Sequence, residues 1–319
     1  MNELYDSKFL PNFELQIEVN LDKYTIALAV TWDFDWDFIK EIENKFQLAG
    51  YSTFVIAPFN VEDVTEKIRR GQIQFDFFLD RGSDENEKFQ DIAELLSGKE
   101  TTIINDYSKV ESAVDKSIMH QKLKQRRVKL PYTLVIPPFD ILPHYELNKV
   151  NSIKLGNPFV AKPAYYSGGG EGVKLNAVSM DDVNPLRKYF HDDKYLLQKL
   201  ITPKYYKSRR TWFRSFWFFN EAVPVWWDDK SHIYDTINSE DFAELDLHRL
   251  VNLTKKIAGI SGLHYFSCEA AIDENNDMIL IDYVNDQCDM RMKSKHADGV
   301  PEAIIDKFIN KMIELVSSD

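Results

Sequence analysis

The sequence predicts an α/β protein built of several lobes, and three observations carry that expectation. Apolar runs alternate with amphipathic stretches near the N-terminus, a strand-like segment breaks into a glycine-rich loop near the middle, and aromatic-rich strand-like runs recur in the C-terminal part. With 319 residues, 44% of them hydrophobic and 13% aromatic, the chain can bury a large core, and its length favours two or three lobes over one.

The first lobe is placed at residues 1–105. KYTIALAV reads as a strand, FIKEIENKFQLAG as a helix closed by Gly50, STFVIAP as a strand, VEDVTEKIRRG as a helix and FDFFLD as a strand, a β-α-β-α-β order. Residues 1–22 read either as a loose tail or as an arm completing this lobe. Ligands of such sheets sit outside the carboxyl ends of the strands, which directs attention to the loops Thr31 to Asp37, Pro58 to Asn60 and Asp80 to Asn86. Arg81 is the candidate substrate contact there; its plainer alternative is a solvated loop arginine beside a carboxylate.

The second lobe is placed at residues 106–193. Asp115-Lys116 stands at a helix running through MHQKLKQRRV to Leu130-Pro131, the strand YTLVI follows, and the stretch PPFDILP is broken by proline. In VAKPAYYSGGGEGV an apolar strand delivers Lys162 and then opens into Ser167, Gly168, Gly169, Gly170 and Gly172. Glycines let backbone N–H groups close on an anion, and the lysine adds a fixed charge beside them, so the segment reads as a nucleotide-phosphate site; the alternative is a flexible turn. Ser179 with Asp182 three residues on has the form of a capping box for MDDVNPLRKYF.

The third lobe is placed at residues 194–319. YLLQKLI, WFRSFWFF, AVPVWW, LHYFSCEAAID and MILIDYVND read as strands, the last two joined by a turn of Asp and Asn. Period-two alternation puts Tyr265, Ser267, Glu269 and Ala271 on one face and Phe266, Cys268, Ala270 and Ile272 on the other. Glu269 on one strand meets Asp282 on the next, inside an apolar run where a charge is costly unless paired or bound to a cation, and oxygen donors of this kind suit Mg²⁺. The plainer alternative is pairing with Lys or Arg across the sheet. Cys268 reads as a small core residue. In PEAIIDKFINKMIELV, Ile304, Ile305, Phe308, Met312, Ile313 and Val316 form one stripe, expected to cover the chain's own lobe, with a homodimer contact left open.

A net charge of −12 opposes general affinity for nucleic acid or an anionic membrane. Two cysteines, Cys268 and Cys288, supply neither a disulfide framework nor a CxxC pattern, and the N-terminal residues lack the order of a signal peptide, so a cytoplasmic protein is expected.

Taken in order, these motifs resemble the ATP-grasp superfamily, in particular its ribosomal-protein glutamate ligase and D-alanine:D-alanine ligase branches. The resemblance runs from about Asp106 onward and implies an N-terminal Rossmann-like lobe followed by two α+β lobes that grip ATP. It implies nucleotide contacts by Lys116, Lys162, the loop Ser167 to Gly172, and Gln198, Lys199 and Leu200 at the adenine. Arg214 matches the transition-state arginine of the family's Asp-Ile-Arg strand, and Glu269, Asp282 and Asn285 match its metal ligands for one or two Mg²⁺, with Mn²⁺ as a substitute. Three departures stand out. Gln198 replaces a common acid; Trp212 replaces the acid of Asp-Ile-Arg and leaves the ribose contact unassigned; and Asp282-Tyr283-Val284-Asn285 is one residue longer than Glu-x-Asn. A regular strand would turn Asp282 and Asn285 to opposite faces, so a bulge is required, with Asp286 as the fallback ligand.

The resemblance implies an enzyme that joins a carboxylate to an amine through an acyl-phosphate, with Arg214 and Lys162 in the chemistry and Arg291 as a clamp for substrate carboxylate or phosphate. Alternatives are a kinase acting on a hydroxylated or anionic small molecule, and a nucleotide-binding protein without catalysis. The basic segments KYYKSRR and DMRMKSK favour an anionic small molecule or acidic peptide as substrate, or else are solvated loops.

Overall fold

The computed structural model describes residues 21–166 and 170–318. The tail up to residue 20 and Ser167, Gly168 and Gly169 of the glycine-rich loop lie outside the described residues.

The N-terminal unit is a parallel sheet of β1 (Asp22–Val30), β2 (Thr53–Ile56), β3 (Ile73–Arg81) and β4 (Thr102–Ile104), ordered β2-β1-β3-β4. The connecting helices are α1 (Trp36–Leu48), α2 (Val61–Arg69) and α3 (Glu87–Ser97). Two elements, α3 and β4, extend the β-α-β-α-β reading. The run Ile26 to Val30 is fully buried because both faces of the sheet are covered. Ile26, Leu28 and Val30 face the core that holds α1, while Ala27 and Ala29 face the one that holds α2 and α3.

Next come α4 (Tyr107–Val114) and α5 (Lys116–Gln125). Asp115 caps α5, its carboxylate accepting from the N–H groups of Ser117 and Ile118. The helix is shorter than the expected run to Leu130. Arg127 turns to φ 56° and the Val128 N–H closes back on the Leu123 carbonyl, which ends the helix a turn after Leu123.

The central antiparallel sheet has the order β5-β8-β6-β7, from β5 (Thr133–Ile136), β6 (Phe159–Pro163), β7 (Lys174–Ala177) and β8 (Tyr195–Lys199). Helices α6 (Lys149–Leu155) and α7 (Met180–Tyr189) belong to this unit, and Leu155 and Val183 share its core with Phe159, Ala161, Tyr195 and Leu197. The Ser179–Asp182 capping box is present as expected.

The C-terminal antiparallel sheet runs β13-β12-β11-β14-β15. Its elements follow a small hairpin of β9 (Tyr205–Tyr206) and β10 (Arg209–Arg210) and are β11 (Trp212–Phe218), β12 (Glu221–Trp227), β13 (Tyr234–Asp235), β14 (Tyr265–Ile272) and β15 (Met278–Asn285), with α8 (Ser239–Glu244), α9 (His248–Ser261) and α10 (Glu302–Ser318). The Asp273 carboxylate accepts from the N–H groups of Asn275 and Asp277 and Asn276 takes φ 63°, so the acidic turn forms as its composition suggests.

One core joins the N-terminal and C-terminal sheets. Phe308 on α10 lies 5.5 Å from Phe38 on α1, 5.2 Å from Phe218 on β11 and 5.2 Å from Tyr265 on β14, ring centroid to ring centroid. Ile304, Ile305, Phe308, Met312 and Val316 are buried in that core, so the apolar stripe of α10 is covered by the chain itself. Asn105 adds a polar tie: its amide donates to the Tyr265 carbonyl (2.7 Å) and accepts from the His264 and Tyr265 N–H groups (2.7 and 3.1 Å).

Arg81 departs from its loop reading. It is the last residue of β3, 4% exposed, paired with Asp35 at 2.7 Å, and it donates to the Cys288 carbonyl at 3.4 Å. Its guanidinium is a buried tie between the two outer sheets.

Candidate active site

The central sheet meets the C-terminal sheet where Lys162 reaches Asp282, a junction called the cleft below, and strand alternation decides which side chains face it. On the central sheet, Thr133, Val160 and Gln198 are register neighbours, as are Lys162 and Leu196. Phe159, Ala161, Tyr195 and Leu197 turn into the opposite core, which leaves Lys162 and Gln198 on the cleft side.

Lys162 spans the cleft. It is 6% exposed, and its Nζ donates to the Ile281 carbonyl at 3.1 Å and to Asp282 Oδ1 at 3.2 Å. Burial lowers its pKa, against the pull of Asp282. For Asp282, burial raises the pKa, but Lys116 and Lys162 outweigh it and hold the carboxyl at about 2. Lys116, 9% exposed at the first turn of α5, is tied down through its backbone N–H, which donates to the Ala164 carbonyl at 2.9 Å just past Lys162. The two lysines predicted from sequence therefore act on one carboxylate.

Arg214 and Glu269 form the second cluster. They are register partners on β11 and β14, joined by an ion pair, and Glu269 is in turn the register partner of Asp282 on β15. Burial lowers the Arg214 pKa, yet Glu269 and Tyr234 more than compensate and raise it above the ordinary arginine value. Its guanidinium lies 4.1 Å from the Trp227 ring centroid and its Nη1 donates to the Tyr234 hydroxyl at 2.7 Å. Trp212 Nε1 donates to the other Glu269 oxygen at 3.1 Å. Both plainer alternatives for the acids are thus present as contacts: Glu269 pairs with arginine and Asp282 with lysine.

The bulge that Asn285 requires is there. Ser267 pairs with Asn285 while Glu269 pairs with Asp282, so β15 carries one extra residue over that interval and Asn285 comes back into phase with Asp282. Among the described residues no group of three or more His, Cys, Asp and Glu is placed to hold a metal ion, and the ligands expected from sequence are two carboxylates and an amide. That set fits a hard cation which fills its remaining positions with water and phosphate oxygens. Asp286, the fallback, has its pKa raised by burial, which suits it less to hold a cation.

The glycine-rich loop leaves β6 at a braced point. Asp193 accepts from the N–H groups of Tyr165 (2.8 Å) and Tyr166 (3.1 Å). Gly170 and Gly172 take φ 83° and 69°, and a Cβ on Gly172 would stand 2.6 Å from the Phe190 ring, so both the conformation and the space call for glycine. Lys199 and Leu200 follow Gln198 at the end of β8, Lys199 exposed and Leu200 half-buried. The Gln198 amide nitrogen donates to Thr133 Oγ1 at 3.2 Å and to the Tyr283 hydroxyl at 3.1 Å, and that hydroxyl lies 2.7 Å from His120 Nδ1.

Arg291 lies 5.8 Å over the Trp32 ring and is gripped by Asp289 (3.0 and 2.8 Å) and Asp298 (3.0 Å). The basic segment before β11 is also matched by acids: Arg209 with Asp235, Arg210 with Asp229, and Lys207 with Glu240 and Asp241. Tyr234, Asp193, His120 and Tyr283 carry no site role in the sequence reading, and Trp212 enters it only as a departure from the Asp-Ile-Arg pattern. His120 stands four residues after Lys116, one turn along the same helix, and that spacing was the available signal.

No protein-family model matches the chain, and no curated protein matches it in sequence. Solved structures do match its fold. D-alanine–D-alanine ligase from Bacillus anthracis, complexed with ATP, is 17% identical with a TM-score of 0.62, over 92% of this chain and 98% of that one. A RimK domain ATP-grasp protein from Sphaerobacter thermophilus is 14% identical with a TM-score of 0.61, over 90% and 98%. The ATP-grasp ligase PsnB, complexed with minimal precursor, Mg and ADP, is 12% identical with a TM-score of 0.58, over 90% and 97%. With a parallel N-terminal sheet, two antiparallel sheets facing one another across a lysine-bridged cleft, and near full-length superposition on these structures, the chain has the ATP-grasp fold.

Proposed function

We propose that the chain is an ATP- and Mg²⁺-dependent ligase that joins a carboxylate to an amine, releasing ADP and phosphate. The observation that carries the reading is the meeting of Lys116 and Lys162 on Asp282, one register step from the Glu269–Arg214 pair, in a single cleft. Fold likeness to ligases adds the reaction class, with ATP in one neighbour and Mg with ADP in another.

In this reading Lys116, Lys162 and the loop from Ser167 to Gly172 hold the phosphates, while Gln198, Lys199 and Leu200 meet the adenine. Glu269, Asp282 and Asn285 would hold Mg²⁺, which when bound offsets charge on the phosphates. A substrate carboxylate oxygen attacks the γ-phosphorus and the bond to the β-γ bridging oxygen breaks, leaving ADP and an acyl-phosphate. The amine then attacks the acyl carbon, loses a proton, and expels phosphate. Arg214, held in place by Glu269, Tyr234 and the Trp227 face, supplies a fixed positive charge for the oxyanion of either step. A cavity of about 440 Å³ opens beside Trp227, lined by Lys207, Arg209, Arg210 and Asp228, and an anionic small molecule or acidic peptide would have to compete there with the acids that already pair with the three basic side chains.

The test is to incubate the protein with γ-labelled ATP, Mg²⁺ and size-fractionated metabolites, with Lys162→Ala as control. Free labelled phosphate that appears only with a metabolite fraction, and is lost in the variant, supports the ligase. Label retained on a stable acceptor would replace it with a kinase, and no release from any fraction would remove catalysis from the account.

A further inference from the structure

Gln287 stands two residues after Asn285, where the chain bends away from the end of β15. We infer that the N-terminal lobe sets the position of Asn285 through Gln287, a positioning residue for the metal site that lies outside every motif of the sequence. The inference rests on the metal reading above and deepens it.

The need for outside support comes from the sheet. β15 is the last strand in its sheet and pairs along one side, with β14. That pairing is bulged between Glu269 and Ser267 and ends at the Ser267–Asn285 partners, so Asn285 closes an edge strand just past an irregular step. Strand ends of this kind have little ladder to hold them and open more readily than a sheet's centre. An amide that is to serve as a ligand from such a place needs its backbone fixed by other groups.

The carboxyl end of the N-terminal sheet supplies them. Gln287 Nε2 donates to the Asp80 carbonyl, next to last in β3, at 3.1 Å. Its Oε1 accepts from the Tyr265 hydroxyl at 3.4 Å. Tyr265, the first residue of β14, is fully buried, and its backbone carbonyl and N–H are both bonded to the Asn105 side chain, directly after β4. Arg81 adds a bond to the carbonyl of Cys288, the residue after Gln287, at 3.4 Å. A single carboxamide thus spends its donor on β3 and its acceptor on β14, a pair of roles that few side chains combine. Because β14 carries Glu269 and β15 carries Asp282 and Asn285, the tie fixes the two ligand-bearing strands against the same support.

The experiment is binding of Mn²⁺ to the full chain saturated with ADP, read from the electron-spin resonance of the free ion, with ADP binding in the absence of metal measured alongside. The variants are Gln287→Met, which keeps the length of the side chain and removes both bonds, Tyr265→Phe, Asn285→Ala and Gln287→Met/Asn285→Ala. Gln287→Met is expected to weaken Mn²⁺ binding by about tenfold and Tyr265→Phe by about threefold, with metal-free ADP affinity kept within about twofold in both. Since the glutamine acts through Asn285, the double variant should bind Mn²⁺ no more weakly than Asn285→Ala alone. Wild-type Mn²⁺ affinity in Gln287→Met, even with a lowered urea midpoint, overturns the inference and leaves the tie a purely structural one. Additive losses in the double variant, or an equal loss of metal-free ADP binding, overturn it as well. If Asn285→Ala holds Mn²⁺ as tightly as wild type, the ligand assignment itself falls and the inference with it. Should Gln287→Met fail to fold, the Mn²⁺ affinity of Tyr265→Phe decides.

Discussion

Lys162 and Asp282 sit on different sheets, and the lysine ammonium bonds at once to the aspartate carboxylate (3.2 Å) and to the carbonyl of the residue before it (3.1 Å). A point charge on a flexible stem can serve both acceptors, which a planar guanidinium is not shaped to do. Replacing Lys162 with alanine leaves Lys116 as the main cation acting on Asp282, so the carboxyl pKa should rise from about 2. ATP affinity is expected to fall by about ten- to a hundredfold, with Lys162→Arg intermediate. Direct nucleotide titration checks it; wild-type affinity in Lys162→Ala would remove this lysine from the phosphate site.

Arg81 and Asp35 are each almost without solvent, so their pairing is a stability question rather than a substrate one. Asp35 Oδ1 and Arg81 Nη1 have no partner among the described residues, which leaves the pair incompletely satisfied. Removing either partner strands a buried charge, and Arg81→Ala or Asp35→Ala should cost about 3–5 kcal/mol. The apolar double change Asp35→Leu/Arg81→Met should cost less than either single. Urea unfolding of the three variants reads this directly, and additive single costs would contradict it.

The order of the motifs was legible in the sequence because each depends on local chemistry. Lys162 interrupts an apolar strand, glycines follow it, and Glu269 and Asp282 interrupt two strands joined by a turn-forming cluster. The bulge before Asn285 could be demanded from the spacing, since strand alternation admits no other way to align the two side chains. Arg81 was misplaced for the converse reason. Its burial comes from Asp35 and from the Cys288 carbonyl, 207 residues away, and no local pattern signals a partner at that separation. Arg291 differs: its residue type suits a carboxylate clamp, but its partners Asp289 and Asp298 lie two and seven residues away, within reach of a local reading. The end of α5 was missed because it is set by a left-handed Arg127, a residue without the glycine or asparagine that usually marks such a stop.

His120 gives the fold a pH dependence with a definite sign. Its pKa is about 4 in the folded chain against 6.5 when free, because burial, Lys124 and Lys162 all oppose a charge there. Between those values the unfolded chain binds the extra proton, so stability is full above about pH 6.5 and falls as the pH drops toward 4. The contribution is on the order of 3 kcal/mol by linkage. His264, lowered by burial and Lys109, slopes the same way. The difference between wild type and His120→Gln isolates the first: urea midpoints across pH 4 to 7 should converge in acid if His120 is the source, and parallel curves would reject it.

Arg214 is the residue at which geometry and chemistry are expected to separate. Its charge is balanced by Glu269, but its orientation comes from the Tyr234 hydroxyl at 2.7 Å and from stacking on Trp227 at 4.1 Å. Arg214→Lys keeps the charge and gives up the fork and the stacked plane, so the cation is no longer aimed at the site of oxyanion formation. If Arg214 serves the transition state, turnover with the active metabolite fraction should drop by about a hundred- to a thousandfold, equivalent to roughly 3–4 kcal/mol. Affinity for ATP should change little, because the nucleotide contacts lie on the lysines and on β8. Tyr234→Phe removes the orienting hydroxyl and leaves the arginine, so it should show the same pattern at smaller size. Equal losses of ATP binding and turnover in Arg214→Lys would instead assign the arginine to ground-state phosphate binding, and an unchanged rate would leave it as a structural partner of Glu269.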